Sequence, residues 1–238
     1  MKGLILAAGK GTRFRPLTYT IPKALIPVLG RPMIEYLFDN YEKTGIKELG
    51  IVISPEHEQK FIELTQKNKK FNFTLIKQKK TLGTAKAVEL AKDFIDNQTF
   101  LLAWCDFLTF FDFNKLINKH KRFKTYGTLL LNKGDKPQKT GVVKFVGNYI
   151  TKIVEKPNKA FSNYGSAGLM VLEPCVIDYI KYIKPSAQNE YHIGDALQLM
   201  INKGYKIGYK VIDTWRINVN DPADLKKAEN FIKRYHKK

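Results

Sequence analysis

Cysteine is scarce in this chain of 238 residues: Cys105 and Cys175 are the only two. Both sit among apolar neighbours, so they read as free thiols of a cytoplasmic protein rather than a disulfide framework. No Cys/His cluster accompanies them, which excludes a structural zinc site. No apolar run approaches the roughly 20 residues needed to cross a bilayer. A secretory leader is not expected either, because Lys2 is followed by a short apolar run and then by glycines. Acidic residues are few, 22 against 41 Lys and Arg, for a formal net charge of +19. Such an excess would draw anionic ligands. It does not point to nucleic acid, since no aromatic stacking motif or helix-turn-helix pattern accompanies the lysines, and they read as solvated faces.

What is present is concentrated at the start. The apolar run through Leu4, Ile5 and Leu6 passes into Ala7, Ala8, Gly9, Lys10, Gly11, Thr12 and Arg13. Apolar run, glycines, then cations is how a buried parallel strand hands over to a phosphate-binding turn. Gly9 and Gly11 can expose their N–H groups and let the backbone wrap an anion. Neither the P-loop pattern nor the dinucleotide fingerprint is matched, because Thr12 and Arg13 follow Gly11 and Phe14 stands where a third glycine would be. Pro16 and Pro22 delay any helix, and Pro22 with Pro27 holds Lys23 in an extended segment that could aim it at the same anion.

Residues 6–34 read LAAGKGTRFRPLTYTIPKALIPVLGRPMI. This resembles the signature of the sugar-1-phosphate nucleotidyltransferases, LAAGxGTRLxPLT followed after a short gap by PKxLxPVxxxPMI, with Phe14 in place of the usual leucine. That group includes glucose-1-phosphate thymidylyltransferases and N-acetylglucosamine-1-phosphate uridylyltransferases.

Helical spacing is expected over Met33 to Thr44, Glu58 to Asn68 and Thr84 to Phe94. Strands are expected at Leu49–Ile53, Phe73–Ile76 and Phe100–Trp104. This alternation implies an α/β, Rossmann-like, mostly parallel sheet flanked by helices, as in nucleotide-diphospho-sugar transferases. The second half is less regular. It should hold a strand at Tyr126–Asn132, an antiparallel hairpin of Gly141–Phe145 with Ile150–Val154, and a strand at Ala167–Leu172. Helices follow at Pro174–Ile183, Ile193–Asn202 and from Ala223 into the basic tail. No linker or repeat divides the chain, so residues 1–238 read as a single domain, with a nucleotide-binding half (1–112) and a sugar-phosphate-binding half (113–238) that holds a smaller antiparallel acceptor-binding portion.

The resemblance implies site residues position by position. Arg13 and Lys23 would act on the phosphates, within a loop running from Leu6 through Ala7, Ala8, Gly9 and Gly11 to Thr12. Gln78, Gly83 and Thr84 match the glutamine–glycine–threonine spacing of members that use uracil or thymine. A primary amide offers donor and acceptor to a pyrimidine imide edge, which favours UTP or dTTP. Asp106 stands where the family has a Gly-Asp metal ligand, here Cys105-Asp106, and implies Mg²⁺. Its partner would be Asn218, where many relatives have an acid, or Asn220, which resembles the Val-Asn motif of the uridylyltransferases. The family's acceptor motif is matched by Glu155-Lys156-Pro157, and Gly141 matches its sugar-approach glycine. Ser166 and Gly194 replace an asparagine and a threonine that read the sugar, so the acceptor is left open. His57 and His192 are expected to be structural or exposed.

These matches imply Mg²⁺-dependent condensation of an NTP with a sugar 1-phosphate, giving an NDP-sugar and pyrophosphate. The alternatives are a cytidylyltransferase acting on phosphocholine or another phosphorylated alcohol, and a non-catalytic nucleotide-binding regulatory homologue. Association into a homo-oligomer is left open, and no membrane partner is implied.

Overall fold

The opening residues form a strand buried on both sides. In the computed structural model, which describes residues 1–134 and 140–235, β1 (Lys2–Leu6) is fully buried. Leu4 and Leu6 join one apolar cluster and Ile5 and Ala7 the other. Two covered faces are why this strand reads as a continuous apolar run instead of alternating. A short pair, β2 (Pro27–Val28) and β3 (Arg31–Pro32), leads into α1 (Met33–Lys43). Then come β4 (Glu48–Ile53), α2 (Glu58–Lys67), β5 (Asn72–Lys77), α3 (Thr84–Leu90), α4 (Lys92–Ile95) and β6 (Phe100–Trp104). The helix expected over 84–94 is thus two pieces that meet at Ala91.

The rest of the chain supplies β7 (Phe107–Thr109), α5 (Phe113–Phe123), β8 (Gly127–Lys133), β9 (Gly141–Val146) and β10 (Tyr149–Glu155). It ends with β11 (Tyr164–Leu172), α6 (Val176–Ile180), α7 (Ile193–Asn202), β12 (Ile207–Val211), β13 (Arg216–Asn218) and α8 (Pro222–Tyr235). The helix expected over 174–183 contracts to α6. The last three residues of the expected C-terminal helix lie outside the described residues.

Among the described residues nine strands form one sheet, in the order β5-β4-β1-β6-β11-β8-β12-β10-β9. From β5 to β6 every neighbour is parallel. The chain lays β1, β4 and β5 outward in one direction, then returns to set β6 on the other side of β1. Strand order therefore reverses between β1 and β6, the place in an open α/β sheet where ligands collect at the carboxyl ends. Helices α1, α2 and α5 cover one face through Ile34, Leu37, Phe38, Phe61, Leu116 and Ile117. Helices α3, α6 and α7 cover the other through Val88, Ile177, Ile180, Leu197 and Met200.

The half after residue 112 is less parallel. β12 runs parallel to β8, while β6–β11, β11–β8, β10–β12 and β10–β9 are antiparallel. β11 serves two partners in turn: its last residues pair with β6 (Leu169↔Ala103) and its first with β9 (Tyr164↔Val143). Between them the register to β8 shifts from Ser166 to Met170, and Gly168 takes φ +74°. A bulge re-aims the side chains beside it. Because β9 returns to β11, the strands β11, β8, β12, β10 and β9 close into a ring.

Candidate active site

The loop after β1 folds into three short 3-10 turns, Thr12–Phe14, Leu17–Tyr19 and Lys23–Leu25. Phe14 is buried against Ile26, Val28, Met33, Leu108 and Val219, so the larger ring in place of leucine anchors the loop. Gly11 takes φ +58°, and a Cβ there would lie 3.0 Å from both Lys23 Cβ and Thr18 Cγ2. Thr18 Oγ1 also donates to the Gly11 carbonyl at 2.9 Å. Gly11 is a glycine because the Lys23 stem and Thr18 press on it. Gly9 faces open space, with nothing within 4 Å of a Cβ built on it. Lys10, Thr12 and Arg13 are exposed, and Arg13 has no hydrogen bond or ion pair among the described residues. The side chains of Leu6, Ala7 and Ala8 are buried, so their contact with a ligand could come only through the backbone.

One of these cations, Lys23, reaches a carboxylate. Cys105 N–H donates to the Leu6 carbonyl at 3.2 Å, holding the end of β6 beside the end of β1. The next residue, Asp106, accepts from Lys23 Nζ at 2.9 Å through Oδ2. The Lys23 side chain is only 12% exposed and that of Asp106 32%. The Cys105 side chain fills the apolar cluster under the turn. Burial, and then the Asp106 charge, push its thiol up to about 12, so it stays protonated at neutral pH.

Strand β13 pairs with β7 next to Asp106, and Val219 N–H donates to the Asp106 carbonyl at 2.8 Å. Trp215 stacks on Phe231 of α8 at 4.1 Å, which fixes this strand against the helix. Asn218 Oδ1 accepts from Arg216 Nη2 at 2.6 Å. Asn220 donates its backbone N–H to Asp224 Oδ2 and begins the turn into α8. The donors on hand are hard oxygens: Asp106 Oδ1, free of Lys23, and the amide oxygens of the two asparagines, that of Asn218 already accepting from Arg216. This set fits Mg²⁺ shared with phosphate and water rather than a closed protein cage. No group of three His, Cys, Asp or Glu side chains suited to a metal occurs among the described residues.

Gln78 follows β5, so it lies on the same sheet edge. The residue is 5% exposed, and its Nε2 is buried without a partner. Gly83 takes φ +95°, and a Cβ would come within 2.4 Å of the Tyr191 carbonyl oxygen. The chain around it is clasped by the segment before α7: Tyr191 N–H donates to Leu82 O, and Ala85 N–H to Tyr191 O. Thr84 Oγ1 accepts from Ile193 N–H at 3.0 Å. This clasp joins the two halves and was not visible in the motif, whose glycine suggested only access to a base.

The residues expected to meet the acceptor form a second group. Glu155 lies opposite Gly141 in the β9–β10 hairpin, and a Cβ on Gly141 would sit 2.8 Å from Glu155 Oε2 and 3.9 Å from Ser166 Cβ. Ser166 Oγ is buried without a partner. Since β11 runs antiparallel to β6, Ser166 lies beyond the carboxyl end of β6, on the edge that holds Asp106. A Cβ on Gly194 would be 4.0 Å from Glu155 Oε2. Burial raises the Glu155 carboxyl, partly offset by His192 and Lys156. Asp195 is raised by burial too, again with His192 opposing. His192 is itself buried and lies near both carboxyls. Lys156 is exposed, at φ +43°.

Residues 2–233 match the family profile described as nucleotidyl transferase. The chain belongs to that family. This nucleotidyl transferase is 30% identical to the low-salt glycan biosynthesis nucleotidyltransferase of Haloferax volcanii, over 98% of its own length and 66% of the relative's. It is 35% identical to the mannose-1-phosphate guanyltransferase of Saccharomyces cerevisiae, over 94% and 63%. It thus spans just under two-thirds of the length of these curated relatives. Among solved structures it is similar to one from Bacillus anthracis, assigned as a glucose-1-phosphate thymidylyltransferase and determined with sucrose. That match has a TM-score of 0.88 at 28% identity and covers 97% of this chain and 94% of the other. The family and fold implied by residues 6–34 are thus borne out. Among the described residues no helix is long and apolar enough to cross a membrane.

Proposed function

We propose that this nucleotidyl transferase condenses an NTP with a sugar 1-phosphate, releasing pyrophosphate. The observation that carries the reading is the Lys23–Asp106 contact at 2.9 Å, beside the glycine loop and at the point where strand order reverses. The backbone from Leu6 to Thr12 wraps the triphosphate, with Gly9 leaving room for it. Arg13, uncommitted elsewhere, neutralises the departing β- and γ-phosphates. Lys23 moves from Asp106 to the α-phosphate and the incoming phosphate oxygen. That oxygen attacks the α-phosphorus in line, and the bond to the β-phosphate oxygen breaks with its electron pair leaving on pyrophosphate. No covalent enzyme intermediate is required, so positioning and charge stabilisation carry the rate.

Mg²⁺ would supply charge neutralisation on the phosphates. Asp106 would hold it together with Asn218 or Asn220. Replacing the ligating asparagine by aspartate should lower the Mg²⁺ concentration for half-maximal activity several-fold, and Asn218→Asp is expected to do so. The same response from Asn220→Asp alone would move the ligand to Asn220.

Gln78, whose buried Nε2 lacks a partner, would read a pyrimidine imide edge, supporting UTP or dTTP with Gly83 and Thr84 shaping the pocket. Glu155 would accept hydroxyls of the acceptor beside Gly141 and Ser166, with Lys156 meeting its phosphate. The test is a pyrophosphate-release screen of UTP, dTTP, CTP, GTP and ATP against sugar 1-phosphates. Turnover with UTP or dTTP is expected. Turnover only with CTP and phosphocholine, or only with GTP, would reassign the substrates, and none with any pair would make the protein a non-catalytic nucleotide binder.

A further inference from the structure

At the other end of the sheet lies a cavity of about 570 Å³ whose residues take no part in the reaction above. Thr99 immediately precedes β6 and Glu173 immediately follows β11, so the cavity is separated from Asp106 and Ser166 by the length of β6. That is on the order of 17 Å. Its volume is that of a small-molecule site.

The floor is a connected polar cluster. His120, 3% exposed, places Nε2 2.9 Å from Glu173 Oε1 and Nδ1 3.0 Å from Thr128 Oγ1. Thr125 Oγ1 lies 2.7 Å from Thr128 Oγ1. Thr99 Oγ1 donates to the Glu173 carboxylate, 3.0 Å from each oxygen. The Glu173 side chain is nevertheless 32% exposed, so its remaining acceptor capacity faces the cavity. A carboxylate fixed from behind is suited to accept ligand hydroxyls.

The rim differs from the floor. Lys121 and Lys124 both line the cavity and are exposed. Neither has an ion-pair partner among the described residues, whereas Lys70, Lys77, Lys86 and Lys115 each meet a carboxylate. Tyr126, 43% exposed, presents a ring held edge-on to Tyr205 at 4.6 Å. Two uncommitted ammonium groups favour a phosphate. The acceptor-rich floor and the aromatic wall favour a hydroxylated body below it.

We infer that this cavity is a second ligand site, taking a phosphorylated polyol such as a sugar phosphate with its phosphate on Lys121 and Lys124 and its hydroxyls on Glu173. The inference is independent of the transfer reaction and is read by binding alone.

Isothermal titration of the full chain with glucose 6-phosphate, fructose 6-phosphate and sorbitol 6-phosphate tests it. At least one should bind. Its affinity should survive Lys23→Ala, which alters only the opposite end. Affinity should fall about tenfold or more in the Lys121→Gln/Lys124→Gln double variant, since charge-assisted contacts are lost. Glucose and inorganic phosphate, each carrying half of the recognition, should bind more weakly than the joined molecule. Unchanged affinity in the double variant, loss of binding in Lys23→Ala, or no binding of any of the three below ~10 mM would overturn the site. Inorganic phosphate binding as tightly as the sugar phosphates would overturn the polyol and leave a bare anion patch.

Discussion

Lys23 and Asp106, 83 positions apart in the chain, meet at 2.9 Å where the ends of β1 and β6 lie side by side. The contact is mostly buried on the lysine side and partly open on the aspartate side, so an incoming phosphate can compete for Nζ.

Lys23→Ala should lower kcat by on the order of 10²–10³, the usual cost of one charge-stabilising contact, with the fold retained by circular dichroism. A steady-state rate within a few-fold of wild type would remove Lys23 from the mechanism.

Glu155 carries the expected pH dependence. Its carboxyl is raised above its ordinary value of 4.5, chiefly by burial, so the folded protein keeps this proton to higher pH than the unfolded chain. The stability it contributes is present below that ordinary value and lost as pH rises through the raised one. On the proposed reading acceptor binding needs the ionised form, so kcat/KM for the acceptor should fall as pH drops through the raised value, above the usual carboxylate range. Glu155→Gln should reduce acceptor kcat/KM and abolish that limb of the profile. A limb that persists in Glu155→Gln would assign it elsewhere, with Asp195 the next group to examine.

Gly83→Ala is expected to destabilise the protein by roughly 1–3 kcal/mol, because φ +95° is foreign to a residue with a Cβ and the new atom meets the Tyr191 backbone. Urea denaturation should show a lower midpoint at unchanged slope, together with a raised KM for the nucleotide. An unaltered midpoint would mean that the clasp yields freely.

Ser166→Ala separates binding from stability. The buried hydroxyl has no protein partner, so its removal should leave stability unchanged or raise it by up to about 1 kcal/mol. Acceptor KM should nonetheless rise if the hydroxyl meets the sugar. An unchanged KM across the acceptor panel would take Ser166 out of the site.

The opening loop was legible because its chemistry is local: strand, glycines, cations and prolines follow one another within residues 4–28. The parallel half was legible for the same reason, each strand and helix carrying its own period. What escaped were features made by distant partners. β12 reads Ile-Gly-Tyr-Lys-Val and becomes a strand by pairing with β8, some 80 residues earlier. β7 and β13 are three residues each and stabilise one another. α5 carries local signals, an Asp112 cap on Asn114 N–H and apolar residues at 113, 116 and 117, but its lysines mask them as a charged face. Gly83 was recognised, while its neighbour Tyr191 lies over a hundred positions away.

The strand shared by β6 and β9 has a consequence for how the molecule can be taken apart. A cut at residue 112 would strip β6 of a neighbour and leave β11 with a bare length of backbone, so each fragment would expose hydrogen-bonding groups that only the other can satisfy. With the β7–β13 pair and the clasp at Tyr191, this seam joins the first and second halves of the chain without a hinge. On the proposed reading, relative displacement of nucleotide and acceptor has to come from the loops above the sheet.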